Sequence, residues 1–110
     1  MDPLDTWRDA LERILTDHAA IPYANGALST ETVFDRRRDR YLLVDVGWRA
    51  SERVHGALVH VDIIDGRFWI QYDGTETGVA EELVAAGVPR DRIVLAFHPP
   101  ALRPYTGFAA

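Results

Sequence analysis

The sequence predicts an α+β domain: an antiparallel β-meander of four strands plus a fifth strand, with an N-terminal helix and a second helix packed on one face. Three observations predict it. Apolar residues recur at helical spacing in two stretches, one at the N-terminus and one after residue 75. Between residues 29 and 73 lie four runs rich in β-branched and aromatic residues, separated only by short polar turns. Asp65-Gly66 stands between the last two of these runs, and that pair suits the two positive-φ positions of a type I′ hairpin turn. At 110 residues and 47% apolar content the chain fits one domain, residues 1–110, with one modest core.

The first helix spans "DPLDTWRDALERILTDHAA". Asp2 can cap it, Pro3 suits the first helical position, and Asp5 adds negative charge to the first turn. Leu4, Trp7, Leu11, Ile14, Leu15 and His18 form its apolar side, with His18 read as an end residue facing the helix dipole. "IPYANG" connects to the strands. "STETVFD", "YLLVDVGW", "RVHGALVHVDII" and "RFWIQYD" follow one another through "RRRDR", "RASE" and Asp65-Gly66, and such short turns imply antiparallel neighbours. "TETGVAEELVAAG" reads as a second helix of about three turns, with Thr75 or Thr77 as its N-cap and Gly87 as its stop. "DRIVLAF" is the expected fifth strand, and "HPPALRPYTGFAA" contains three prolines and is irregular.

A two-residue loop at Asp65-Gly66 sets a pairing: Ile64 with Arg67, Asp62 with Trp69, His60 with Gln71, Leu58 with Asp73. The opposite face then carries Ala57, Val59, Val61, Ile63, Phe68, Ile70 and Tyr72, the expected core beneath the helices. The polar stripe combines Trp69 with His60, Asp62, Gln71 and Asp73, a mixture of aromatic anchor and hydrogen-bonding groups that suits a partner surface; the alternative is an open face partly covered by the tail. Tyr105 and Phe108 in the apolar tail are further partner-binding candidates, because three prolines pre-extend the segment and only Arg103 charges it.

Other chemistries have less to stand on. Without cysteine there is no disulfide or thiolate chemistry, and without lysine no Walker or Schiff-base lysine. Ser29 and Ser51 lack a nucleophile-elbow context. His60 and Asp62 at i, i+2 can supply two metal ligands, with His98 or Asp73 as a third, which leaves a small metal-dependent hydrolase as one alternative. Arg36, Arg37, Arg38 and Arg40 cluster in the first turn, and a meander brings Arg67 to the same end, so an arginine tip that contacts DNA is another. Interleaved Asp35, Asp39 and Asp65, and a net charge of −5, favour a solvated tip over a nucleic-acid surface. No catalytic residue, resident metal or cofactor is expected. The acidic start, without a basic and apolar leader, and the lack of an apolar run of membrane-spanning length point to a cytoplasmic protein with no membrane partner.

"IPYANG", "FDRRRDRYLLVDVGW" and the long run from "RVHGALVHVDIIDG" through "DGTETGVAEELVAAGVP" to "FHPPALRPYTGFA" resemble the XisI family, the fdxN element excision controlling factors of cyanobacteria. The likeness covers nearly the whole chain, and the missing lysines are its clearest departure. It implies a non-enzymatic accessory factor for programmed excision of a DNA element, working beside a site-specific recombinase. It also implies a protein partner, an XisH-like protein of endonuclease-like fold, with nucleic acid contacted weakly or indirectly and self-association left open. The resemblance supplies no catalytic residues. The expected function is therefore a protein-binding module for the XisH-like partner.

Overall fold

A computed structural model describes residues 3–23 and 27–110. Asp2 and the stretch 24–26 of the "IPYANG" connection lie outside the described residues. The chain runs α1 (Pro3–Ala19), β1 (Leu28–Asp35), β2 (Arg40–Arg49), β3 (Glu52–Ile64), β4 (Arg67–Asp73), α2 (Val79–Ala85) and β5 (Ile93–Leu95). Single 3-10 turns at Arg90–Arg92 and Arg103–Tyr105 lead into β5 and shape the tail. The five strands form one sheet in the order β1-β2-β3-β4-β5, antiparallel through β4 and parallel between β4 and β5. The expected α+β architecture is the observed one. The first three links are short turns, which reverse the chain; the last passes through α2, a crossover that lets β5 return parallel.

Asp65 and Gly66 have φ of 52° and 76°, the two left-handed positions of the expected turn. Pairing then runs Ile64–Arg67, Ile63–Phe68, Asp62–Trp69 and Val61–Ile70, after which a β-bulge intervenes. Gln71 is left without an opposite number, so His60 faces Tyr72 and Val59 faces Asp73. A second bulge lets β2 skip Leu58: Leu43 pairs with Val59, but Val44 pairs with Ala57. Each bulge moves every later residue of its strand to the other face. Four expectations change as a result. Leu58 packs against the core instead of standing on the polar stripe, while Tyr72, expected in the core, is 52% exposed and Ala57 is exposed too. Asp73 passes to the helix side.

The core lies between the two helices and that side of the sheet. Leu11, Ile14 and Leu15 of α1 and Val79, Ala80 and Leu83 of α2 meet Tyr41, Leu43, Val59, Val61, Ile63, Phe68, Ile70 and Ile93. Trp7 and Leu4 pack at its margin, so the apolar side of α1 is used as the sequence predicts. The second helix is shorter than expected, two turns instead of three, and neither Thr75 nor Thr77 caps it. The cap comes from Asp73, which accepts the Val79 N–H at 2.7 Å and both the N–H and hydroxyl of Thr75, at 2.9 and 2.6 Å. This carboxylate therefore folds the segment between β4 and α2 and satisfies an orphan donor at the helix start. Gly87, at φ 104°, ends the helix as predicted. The fifth strand is only three residues long, because Asp91 and Arg92 belong to the 3-10 turn before it.

Candidate functional site

Among the described residues neither α1 nor α2 packs on the other face of the sheet. Alternation along the paired strands places on it Val33 of β1, Leu42, Val44, Val46 and Trp48 of β2, His60 and Asp62 of β3, and Trp69 and Tyr72 of β4. Val33, Trp48 and Tyr72 are about half exposed, at 50%, 48% and 52%, and Leu42, Val44, Val46 and Trp69 are half-buried. An apolar band thus crosses the sheet from edge strand β1 to β4; among the described residues no α-helix lies over it, and only the Arg53 and Arg103 side chains cover Trp48 and Trp69.

The polar groups at the β3–β4 end of this face are paired with one another, while Glu31, opposite Val44, and His55, opposite Val46, stand exposed on it. Asp62 is buried, and its carboxylate meets His60 Nε2 at 2.8 Å, Gln71 Nε2 at 3.3 Å and Arg40 Nε at 3.4 Å. The bulge explains Gln71: released from the regular register, it stays on the side of Asp62 and donates to it. His60, Asp62, Trp69 and Gln71 are thus brought together, as the hairpin reading predicts, and Asp73 leaves the group. Arg53 lies 5.3 Å over the Trp48 ring at the far end of the band.

The tail runs along the β4–β5 edge. The Ala109 N–H donates to the Ile93 carbonyl at 2.8 Å, Ala109 bridges Val94, and Phe108 packs on the core with Arg90 5.0 Å over its ring. Arg103 donates to the carbonyls of His98 and Ala96 and lies 5.6 Å over the Trp69 ring. Phe108 is therefore held within its own domain, whereas Tyr105 projects into solvent at 86% exposure.

The arginine tip is largely neutralised. Arg36 reaches Asp9 and Glu12 of α1, Arg38 pairs with Asp35 at 3.2 Å, and Arg40 with Asp62. The backbone N–H of Arg38, and then its side chain, hold the Asp35 carboxyl below its ordinary value. Arg8 grips Asp39 with two bonds of 2.8 and 2.9 Å, Tyr41 adds a third at 2.9 Å, and the guanidinium holds the Asp39 carboxyl below its ordinary range. Arg37 and Arg67 are exposed and, among the described residues, have no ion pair.

On the helix side a cavity of about 400 Å³ opens between the end of α1 and the segment 74–77, lined by His18, Tyr23, Thr30, Leu58, Thr75 and Thr77 among others. Its polar groups are also engaged. His18 bonds Glu82 of α2 at 2.7 Å, which ties the two helices together beyond any end effect on α1. Thr77 donates to the same carboxylate, and Tyr23 and Thr30 both donate to Asp45. Burial first, and the bond to Asp45 second, push the Tyr23 phenol up. No group of three His, Asp or Glu side chains that could hold a metal is gathered among the described residues, and with Asp73 beside α2 the His60–Asp62 pair loses one of its two suggested third ligands.

A family model described as XisI protein matches residues 1–110. The chain belongs to the XisI family. Two solved structures from Anabaena variabilis ATCC 29413 are similar to it over almost their full lengths. One, described as a XisI-like protein, has a TM-score of 0.88 and 33% identity, with 97% of this chain and 98% of that one covered. The other, described as fdxN element excision controlling factor XisI, has a TM-score of 0.84 and 29% identity, with 98% of each chain covered. No curated protein matches the chain. The resemblance drawn from "IPYANG", "DGTETG" and "FHPPALRPYTGFA" is thus borne out, and the missing lysines accompany no change of fold. No helix among the described residues is long and apolar enough to cross a membrane.

Sequence reasoning missed Val33, Leu42, Val44, Val46, Trp48 and Tyr72 as members of the face. The signal was there in "YLLVDVGW", which is apolar in both alternating phases; a strand that must bury only one face has no need of that. Tyr72 carried no such signal, because its side depends on the bulge.

Proposed function

We propose that this XisI-family chain is a non-enzymatic accessory factor in the controlled excision of a DNA element, and that it works by binding a protein partner through the bare sheet face. The observation that carries this reading is the apolar band from Val33 through Val44 and Trp48 to Tyr72, flanked by the Asp62 cluster, whose side chains already bond one another, and by exposed Glu31 and His55. Strands β1 to β4, roughly 4.8 Å apart and about 30 Å long on average, offer on the order of 600 Å², the same order as the roughly 800 Å² that each side of a specific complex contributes. Docking an apolar partner there leaves Asp62 satisfied, since its three partners come from within the face.

The partner implied by the family is an XisH-like protein. A DNA-binding reading through residues 36–40 has less support, because three of those four arginines already face carboxylates and the chain carries net charge −5. Co-expression of the chain with an XisH-like protein tests the proposal. The two proteins should purify as one complex, and Trp48→Ala with Tyr72→Ala should weaken it at least about tenfold, the loss expected of aromatic anchors worth 1–2 kcal/mol or more. A complex untouched by both changes moves the interface elsewhere.

A further inference from the structure

Most of the arginines around the first turn are tied to acids of this chain; Arg67 and Arg92 are not. Both line a cleft of about 350 Å³ at the tail end of the bare face, together with Ile64, Asp65 and Trp69. Among the described residues neither has a carboxylate within ion-pair distance, although Asp65 stands at the same cleft. Arg92 is placed by packing instead of by charge. Its guanidinium lies 6.0 Å from the centre of the Trp7 ring, and a side-chain carbon at Gly66 would stand 3.2 Å from one of its nitrogens. A guanidinium that faces a ring and no carboxylate keeps its N–H donors available in its own plane, the arrangement suited to a carboxylate. Arg103 adds a third positive charge over Trp69, where two of its five N–H donors are bound to the carbonyls of His98 and Ala96; it lies outside the cleft lining, which leaves Arg67 and Arg92 to bind there.

Resting on the proposed role of the bare face, we infer that this cleft takes an acidic side chain of the partner protein, a Glu or Asp within a segment whose apolar residues lie on Trp69 and Ile64. The cleft holds a few side chains, which suits a peptide and not a duplex. A duplex would also call on a row of free cations along its backbone, and the neighbouring Arg36, Arg38 and Arg40 are already engaged. Bidentate arginine–carboxylate contacts then orient the partner along the apolar band.

The probe is a short fluorescein-labelled peptide alternating Glu and Leu, compared by anisotropy with the same peptide carrying Gln at every Glu, on the full chain. The Glu peptide should bind at least about tenfold more tightly, and Arg67→Ala or Arg92→Ala should each remove about tenfold. Arg13→Ala, a change of the same charge on the exposed side of α1, should leave binding as it was. Arg92→Ala gives up its contact with Trp7, so Arg67→Ala, whose side chain makes no hydrogen bond or ion pair among the described residues, decides the matter if the former melts early. Equal binding of the two peptides, or an equal loss in Arg13→Ala, overturns the inference. So does a labelled DNA duplex that binds with the same dependence on Arg67 and Arg92. If the XisH-like protein co-purifies but ignores Arg67→Ala, this inference alone fails; if it never co-purifies while the Glu peptide still binds, the proposed function fails and the cleft stands.

Discussion

The two faces of the sheet are built from the same strands and do opposite work. On the helix side Tyr41, Leu43, Val59, Val61, Phe68 and Ile70 have no exposed surface, and α1 and α2 exclude water from them. On the bare side the side chains alternating with them, Leu42, Val44, His60 and Trp69, stay half-buried, and Trp48 and Tyr72 more open still. What separates the faces is not hydrophobicity, since both are apolar, but whether this chain provides the cover. A face apolar enough to be a core, and left without one, is the feature that the proposed function explains.

The largest test of that difference is on the covered side. Phe68→Ala should cost about 3–5 kcal/mol in chemical denaturation, because the ring is fully enclosed and its loss leaves a cavity that α1 and β5 cannot collapse into. A cost near that of a surface change would mean the helices do not seal this face. Next comes the boundary between the faces, where the tail closes the β5 edge. Deleting residues 106–110 removes Phe108 from the core margin and the Ala109 bond that covers Val94, and should cost about 2–3 kcal/mol by the burial of one aromatic side chain and one strand-like contact. An unchanged midpoint would show the edge to be stable without its tail.

How far the faces were legible in the sequence depends on the local code. The Asp65-Gly66 turn could be read because positive φ at two successive residues narrows the choice to a few residue types, and it placed His60, Asp62 and Trp69 correctly. Beyond four residue pairs the reading failed, because a bulge has no residue signature of its own here. One extra residue at Gln71 sent Tyr72 outward and Asp73 inward, and one at Leu58 returned that leucine to the core. The cap of α2 was missed for the same reason: it comes from Asp73, six residues before the N–H it binds, and local spacing favours the nearer Thr75 and Thr77. Arg92 was missed because its place beside Trp7 and Gly66 is tertiary.

A smaller effect is expected at the tip that joins the two faces. Asp39, held by Arg8 and Tyr41, keeps a carboxyl below its ordinary value, so its contribution is fully present above the unfolded value near about 4 and is lost as pH falls through the folded value. Asp39→Asn should therefore cost about 1 kcal/mol at neutral pH, with the difference from the native chain constant between about pH 5 and 8 and shrinking below about pH 4. Asparagine tolerates the left-handed backbone at this position (φ 55°), so the comparison reports charge and not strain. A difference that persists at low pH would assign the loss to packing.

The smallest effect is predicted where the two faces differ most. Trp48 lies near the far end of the bare band, 48% exposed, with Arg53 over its ring, and no helix or tail covers it. In the isolated chain Trp48→Ala gives up one exposed cation–π contact and part of a half-exposed surface, so its cost should stay within about 0.5–1 kcal/mol. Val44, half-buried on the same strand, marks the next step inward, and Leu43 beside it belongs to the sealed face. Alanine at 48, 44 and 43 should therefore give rising losses of stability in the isolated chain along one strand. In the presence of the partner the order of the first and last should reverse for binding, with Trp48→Ala the most damaging per unit of stability lost. Measuring denaturation midpoints and partner affinity on the same three variants checks both halves. Should Trp48→Ala unfold the chain as readily as Leu43→Ala, the bare face is part of the core of this fold, and the case for an interface there falls with it.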